Sequence, residues 1–287
     1  MQGVKKYMAK RLYNELLRKH TTFRIGGPAD ELYIPESKEE LIQEIRACIV
    51  SGKRYRIMGN GSNLLVRNIG VRGIVIKNTS ALSGFEVSGN QVIVGSSMML
   101  PRFVRLCVDS NLEGMEYLYS IPGTVGGALY MNAGRGKDSN MAISDNLVWV
   151  NVFDGKNELC ISKHELGFSF RKSIFHQRKG WLILDACFQL QGQDKEKGME
   201  EIRKRMDFVK NSQNRKYPSA GSVYDAHSRL ALRIMRGVRI GGCTFQGNWI
   251  SNVDNGCSRD VLRLLHISRI LHFLLFNRPP VLEIEIW

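Results

Sequence analysis

Hydrophobic and polar positions along this chain switch between two periods. In "SKEELIQEIRACIVSGK" (37–53), Leu41, Ile42, Ile45 and Ile49 recur at helical spacing. Ser37 followed by Glu40 reads as a capping box, so a helix is predicted there. Residues 1–20 read as a short helical extension, and "FRIGGPADELYIP" (23–35) as a Gly-Gly-Pro turn followed by a strand. "YRIMGNGSNLLV" (55–66) reads as strand, glycine loop, strand. Short strands with Gly/Asn turns follow between 71 and 98. "LPRFVRLCVDSNL" (100–112) predicts a helix with Pro101 in its first turn. "IPGTVGGALYMNAGRG" (121–136) is a second glycine-rich segment, and its "ALYM" is expected to begin a helix.

Further on, "NLVWVNVFDG" predicts a strand ending in an Asp154-Gly155 hairpin. Ser162 and Glu165 suggest a capped turn, and "WLILDACFQLQ" (181–191) reads as another strand. A charged helix is predicted over 195–216, leading into a C-terminal unit. There "VLRLLHISRILHFLLF" predicts a helix, with Leu262, Leu265, Ile267, Ile270, Leu271 and Leu274 on its packed face. Strands and helices alternating in this way imply α/β or α+β layering.

The 287 residues are 43% hydrophobic and 24% charged, the profile of an ordinary globular protein. Net charge is +14, but Lys and Arg are dispersed, with no block of five or more. That dispersal argues against a nucleic-acid-binding tail and leaves anionic lipid, phosphorylated small molecules or simply a solvated surface as readings of the charge. The six cysteines show no CxxC spacing, and no metal site is expected. The basic N-terminus lacks a signal-peptide pattern, and the apolar C-terminal run carries too many charges to span a bilayer. Both point to a cytoplasmic location without membrane insertion.

The two glycine segments carry the candidate chemistry. Gly59 and Gly61 follow a predicted strand, where glycines let successive N–H groups aim into one concavity that suits a pyrophosphate, with Ser62 and Asn63 adding side-chain hydrogen bonds. No Gly-Lys-Ser/Thr follows, so this is not a Walker A loop. Leu64 stands where a Rossmann fingerprint needs its third glycine. Gly123, Gly126 and Gly127 clear the way for a flat ligand, before a helix whose first amides would favour an anion. Two such nests suit an extended dinucleotide, and FAD has that length.

"HTTFRIGGPAD" (20–30), "GNGSNLLV" (59–66), "IPGTVGGALYMNAG" (121–134), "FSFRKS" (168–173), "PSAGSV" (218–223) and "LEIEI" (282–286) occur in this order. In this the chain resembles the UDP-N-acetylenolpyruvoylglucosamine reductase family over roughly residues 20–287. In length it resembles the shorter type, which lacks an extra substrate loop. The resemblance implies an α+β fold: a vanillyl-alcohol-oxidase (PCMH-type) FAD-binding region of two subdomains, plus a small C-terminal α+β substrate domain. The implied boundaries are 1–20 for an N-terminal extension, 21–194 for the FAD region and 195–287 for the substrate domain. It also implies non-covalent FAD, NADPH as co-substrate, and a UDP-sugar whose enolpyruvyl ether is reduced to a lactyl ether for peptidoglycan synthesis. Oligomeric state is left open.

The implied FAD-binding residues are Gly59, Asn60, Gly61, Ser62, Asn63 and Leu64, then Pro122, Gly123, Thr124, Val125, Gly126, Gly127 and Asn132. The implied catalytic residues are Arg171, Ser222 and Glu285. Arg171 is expected to bind the substrate carboxylate and stabilise the enolate, Ser222 to donate a proton, and Glu285 to polarise a water or the carboxylate. Glu283 is expected to face away from Glu285. The chemistry is coherent: hydride addition to C3 of an enolpyruvyl group leaves carbanion character at C2, which needs a cationic stabiliser and a proton donor.

Three departures stand out. Phe170 replaces a tyrosine beside the arginine. Tyr224-Asp225-Ala226-His227 replaces Phe-Lys-Asn-Pro. "GGCTFQGNWISN" (241–252) is a shorter stretch that lacks a histidine. A second reading therefore keeps FAD binding with altered or lost catalysis.

Overall fold

A computed structural model describes residues 9–135, 141–213 and 216–287. In chain order, Lys10–Leu16 forms β1, Pro28–Ile34 β2, Lys38–Val50 α1, Tyr55–Met58 β3, Leu64–Leu65 β4 and Val71–Lys77 β5. Phe85–Ser88 forms β6, Gln91–Gly95 β7, Leu100–Asp109 α2, Leu112–Glu113 β8 and Val125–Met131 α3. Then come Leu147–Phe153 (β9), Glu158–Ser162 (β10), Leu182–Gln189 (β11), Gln191–Gly192 (β12) and Lys195–Ser212 (α4). The rest is Ser219–Ser222 (β13), Tyr224–Ala226 (β14), Arg229–Met235 (α5), Arg239–Ile240 (β15), Cys243–Gln246 (β16) and Trp249–Asn252 (β17). Ser258–Phe276 (α6), Val281–Leu282 (β18) and Glu285–Ile286 (β19) close the chain. The mixture is α+β.

Two compact units result. The first takes Met1–Leu12, Leu32–Asn60 and Gly73–Asn211; the second takes Tyr13–Glu31, Gly61–Arg72 and Ser212–Trp287. Both draw on all three sequence regions, 1–20, 21–194 and 195–287.

In the first unit, an antiparallel sheet runs β10-β9-β11-β7-β6. The Asp154-Gly155 hairpin joins β9 to β10, with Gly155 at φ +105°. Val92 and Val94 of β7, Val150 and Val152 of β9, and Ala186 and Phe188 of β11 pack against Leu100, Phe103, Val104 and Cys107 of α2. A second core joins α1 to the parallel pair β3 and β5 through Leu41, Ile45, Ile74 and Ile76. Ser37 caps α1 by accepting the Glu40 N–H, as its sequence predicts.

In the second unit, the sheet β13-β17-β16-β15 shares a core with α5 and α6, built on Phe23, Tyr224, Leu232, Phe245, Ile250, Val261 and Leu264. The C-terminal β19 lies parallel to β4, Glu285 opposite Leu64.

Four local readings need correction. Residues 10–16 are a strand hydrogen-bonded to β2, not a helix, followed by a single tight turn at Leu17–Lys19; residues 1–8 lie outside the described residues. Ile49 of α1 is 46% exposed, and Cys48 takes the buried place. Helix α3 begins at Val125, three residues before "ALYM". In α6, Ile267, Ile270 and Leu274 are exposed. The buried stripe is Val261, Leu264, Leu265, Ser268 and His272. An apolar pattern passes over that stripe because two of its members are polar. The His272 Nδ1 lies 2.7 Å from the Ser268 carbonyl.

Candidate functional site

The loop after β3 is shaped by close approaches. A Cβ on Gly59 would stand 2.5 Å from Thr124 Oγ1, and Asn60 Nδ2 donates to the Pro122 carbonyl at 2.7 Å. The two glycine segments therefore touch within the first unit. Gly61 has φ +64°, and a Cβ there would lie 2.7 Å from the His20 carbonyl oxygen. Thr22 donates its N–H to the Gly61 carbonyl at 3.3 Å and its hydroxyl to Ser219 O at 2.9 Å. Among the described residues, the main-chain N–H groups of Gly61, Ser62 and Asn63 meet no acceptor in the protein. Three successive unspent donors on a left-handed glycine turn fit the oxygens of a pyrophosphate.

The second segment differs from its expected role. Thr124 caps α3, and its hydroxyl accepts the Gly127 N–H at 3.2 Å. Val125 donates to the Met98 carbonyl and Gly126 to the Ser96 carbonyl. The first amides of α3 are thus spent inside the protein and form no anion nest. Gly126 is small for a packing reason, because a Cβ would sit 2.9 Å from Ser96 Cβ. Gly127 is exposed and leaves its surface flat. The run of main-chain N–H groups left unspent is at 61–63.

Arg171 lies in the first unit, in a tight turn closed by mutual Ser169 and Lys172 main-chain hydrogen bonds of 3.1 Å. Its φ of +56° is a left-handed conformation that costs a non-glycine residue about 1–3 kcal/mol. The guanidinium donates from Nη1 to the Asn132 carbonyl at 3.3 Å and from Nη2 to the Gly134 carbonyl at 3.0 Å. It also lies 4.9 Å from the centroid of the Phe170 ring. A phenylalanine therefore still supplies the aromatic face on which the cation stacks, without a hydroxyl. Asn132 closes α3 in the left-handed conformation, φ +44°. Its side chain is buried, donating from Nδ2 to the Ser169 carbonyl at 2.9 Å and accepting the Ser144 N–H at 3.4 Å.

Ser222 and Glu285 lie in the second unit. Ser222 ends β13, half-buried, opposite Trp249 and just after Gly221 at φ +80°. Val223 is held at both ends: its N–H reaches the Asn248 carbonyl, and its own carbonyl receives the Glu283 N–H, each at 2.8 Å. Asn63 Nδ2 donates to the Glu283 carbonyl at 2.9 Å, and the Glu285 N–H donates to the Asn63 carbonyl at 2.9 Å. The strand carrying Glu285 is thus tied to the glycine loop on one side and to the Ser222 segment on the other. The expectation that Glu283 and Glu285 face oppositely has no basis in strand alternation, since residues two apart share a face. Both are half-buried, and the buried Ile284 forms a bend between them.

The divergent stretches meet each other. Tyr224 is 1% exposed and stacks on Phe245, with ring centroids 6.4 Å apart. Asn248, at the β16–β17 turn, accepts the Tyr224 N–H at 3.0 Å and donates to the Tyr224 carbonyl at 2.7 Å. The sequence reading passed over Asn248; the Gly247-Asn248 turn dipeptide was its available signal. His227 is exposed, and partial burial of its imidazole holds it below its ordinary pKa.

The fold, with the likenesses that follow, defines the class: an α+β FAD-binding protein. A family profile described as "FAD binding domain" matches residues 29–161, which include both glycine segments. The chain is 34% identical to the UDP-N-acetylenolpyruvoylglucosamine reductase of Bacillus subtilis, over 92% of this chain and 90% of that one. With the Carboxydothermus hydrogenoformans enzyme of the same name it shares 35% identity, covering 96% and 93%. The crystal structure of the Thermus caldophilus enzyme superposes with a TM-score of 0.80 at 31% identity, covering 97% of this chain and 98% of that one. The chain belongs to the UDP-N-acetylenolpyruvoylglucosamine reductase family. Among the described residues, no helix is long and apolar enough to cross a membrane, and no three His, Cys, Asp or Glu gather as a metal site.

Proposed function

We propose that this protein uses NADPH to reduce the enolpyruvyl ether of UDP-N-acetyl-3-O-(1-carboxyvinyl)-glucosamine to UDP-N-acetylmuramate in the cytoplasm. The observation that carries this reading is the extent of the likeness, 35% identity over 96% of the chain. Only about 4% of the chain is left uncovered, so the likeness reaches well into the C-terminal region, past Ser222, as well as over the FAD region. The N–H groups of Gly61, Ser62 and Asn63 would hold the FAD pyrophosphate, with Gly59, Asn60 and Leu64 shaping that loop. Pro122, Gly123, Thr124, Val125, Gly126 and Gly127 would supply a flat, side-chain-poor FAD-binding surface of the first unit. When bound, the flavin supplies a hydride, derived from NADPH, to C3 of the enolpyruvyl group.

The chain's own residues do the rest. Arg171 binds the substrate carboxylate, and its planar, permanently charged fork stabilises the negative charge that develops as C3 gains hydride. Ser222 delivers the proton to C2, which completes addition of two hydrogens across the double bond. Glu285 polarises a water or the carboxylate. The test is NADPH oxidation by the purified yellow protein with and without the UDP-enolpyruvyl sugar. Oxidation that depends on the sugar is expected. Flavin uptake with sugar-independent oxidation, or with none, would overturn the proposal in favour of a catalytically altered FAD-binding relative.

A further inference from the structure

We infer that Asn132 is a positioning residue for Arg171 and not a ligand of the flavin; this rests on the assignment of Arg171 to substrate carboxylate binding. Family likeness groups Asn132 with the FAD-binding residues, but its side chain is turned to another use. It is 5% exposed, and both ends of its carboxamide are engaged inside the protein, Nδ2 with the Ser169 carbonyl and Oδ1 with the Ser144 N–H. Its main-chain carbonyl receives the Arg171 Nη1, and the next carbonyl but one, from Gly134, receives Nη2. One residue therefore holds the arginine twice. The amide anchors the turn that Arg171 sits in, through Ser169, and the carbonyl anchors the guanidinium itself.

The geometry explains why an asparagine stands there. The position ends α3 at φ +44°, which asparagine tolerates better than most residues. The end of a helix also presents carbonyls not taken up by the helix, which attract a cation. Without the Asn132 amide, the Ser169–Lys172 turn loses its direct side-chain tie to the end of α3, and the Ser173 hydroxyl on the Tyr130 carbonyl, just outside the turn, does not hold Ser169. The left-handed Arg171 backbone then relaxes, and the fork leaves the place where a carboxylate would meet it. A displacement of about 1 Å at a reacting centre is enough to cost on the order of 10²-fold in rate.

The test separates positioning from flavin binding and from plain stability. Asn132→Gly keeps the left-handed backbone and removes the amide. Asn132→Asp keeps the shape and sets a carboxylate against the Ser169 carbonyl. For both, flavin affinity, the flavin absorbance spectrum, flavin reduction by NADPH and reoxidation by the UDP-enolpyruvyl sugar are measured. The expected result is flavin affinity and reduction within about threefold of the parent, with reoxidation slowed on the order of 10- to 100-fold. In the Arg171→Ala background, Asn132→Gly should slow reoxidation no further, because the two residues act as one unit.

Additive losses in that cycle, unchanged reoxidation in both Asn132 variants, or a weakened and spectrally shifted flavin would each overturn the inference. Normal reoxidation by Arg171→Ala alone would instead remove the assignment of Arg171 on which the inference rests.

Discussion

Asn63 holds Glu285 in place from the main chain: its carbonyl accepts the Glu285 N–H at 2.9 Å, while its side-chain amide donates to the Glu283 carbonyl, also at 2.9 Å. The Asn63 side chain is thus engaged with the C-terminal strand, and its N–H is left to the cradle. Asn63→Ala is expected to lower unfolding stability by about 1 kcal/mol, since it removes one hydrogen bond to the half-buried Glu283 carbonyl. Flavin uptake should survive, because the N–H remains. Hydrogen exchange at residues 283–287 should accelerate more than elsewhere. Uniform exchange across the second unit would contradict this account.

Gly61 is the residue on which the proposed pyrophosphate cradle turns. At φ +64°, with the His20 carbonyl 2.7 Å from any added Cβ, alanine meets both backbone strain and a collision with main chain. Gly61→Ala should cost about 1–3 kcal/mol in stability from strain alone. It should also weaken FAD binding by moving the N–H groups of 61–63 apart. Titration of the apoprotein with FAD checks it, with unchanged affinity the contrary result.

Much of the fold was legible because the chain punctuates itself. Ser37 with Glu40, Pro101, Asp154-Gly155 and Ser162 with Glu165 each mark an element boundary that the structure contains. What escaped did so for physical reasons. The strand at 10–16 carries leucines at near-helical spacing, and its sheet neighbour comes later in the chain. The buried face of α6 includes Ser268 and His272, whose polarity hides them from an apolar pattern. The first amides of α3 go to the Met98 and Ser96 carbonyls and the Thr124 hydroxyl and not to an anion; glycine content reports backbone freedom, whereas two of these acceptors lie some distance back in the sequence. The tie between Asn63 and the last strand spans more than two hundred residues and has no local signal.

Asp260 closes the first turn of α6 by accepting the N–H groups of Cys257 at 3.0 Å and Gly242 at 3.3 Å. Burial alone would raise its pKa. The hydrogen bonds from Cys257 and Gly242, with Arg263 nearby, outweigh burial and hold it below its ordinary 3.8. A lowered folded value means the unfolded chain binds the proton more readily. The stabilisation is therefore fully present above about pH 3.8 and is lost as pH falls through the folded value. Asp260→Asn should be less stable at pH 7 by about 1 kcal/mol, as for a weakened helix cap. Its melting temperature should converge on the parent's in acid. A gap that persists unchanged at pH 3 would refute the assignment.

Ser222→Ala should leave the yellow colour and flavin reduction by NADPH intact, because the cradle and Arg171 are untouched. Reoxidation by the enolpyruvyl sugar should fall by ~10²–10⁴-fold, the usual contribution of a positioned acid. Stopped-flow absorbance of the flavin resolves the two half-reactions. Normal reoxidation would remove Ser222 as proton donor.

Arg171→Lys keeps the charge and loses the fork. In the present arrangement two nitrogens reach two different carbonyls, Asn132 at 3.3 Å and Gly134 at 3.0 Å, while the planar group lies over Phe170. A lysine ammonium is a compact point charge on a flexible stem and cannot reproduce that planar, two-pronged geometry. The same fork suits a carboxylate, which it meets through two parallel hydrogen bonds. The lysine variant should therefore bind flavin and accept hydride from NADPH normally. Its reoxidation should slow on the order of 10²-fold, with the KM for the UDP-enolpyruvyl sugar raised as well. If charge alone sufficed, lysine would restore most of the rate lost in Arg171→Ala. Failure of that rescue, with flavin binding equal in both variants, is the outcome that assigns the work to the shape of the guanidinium.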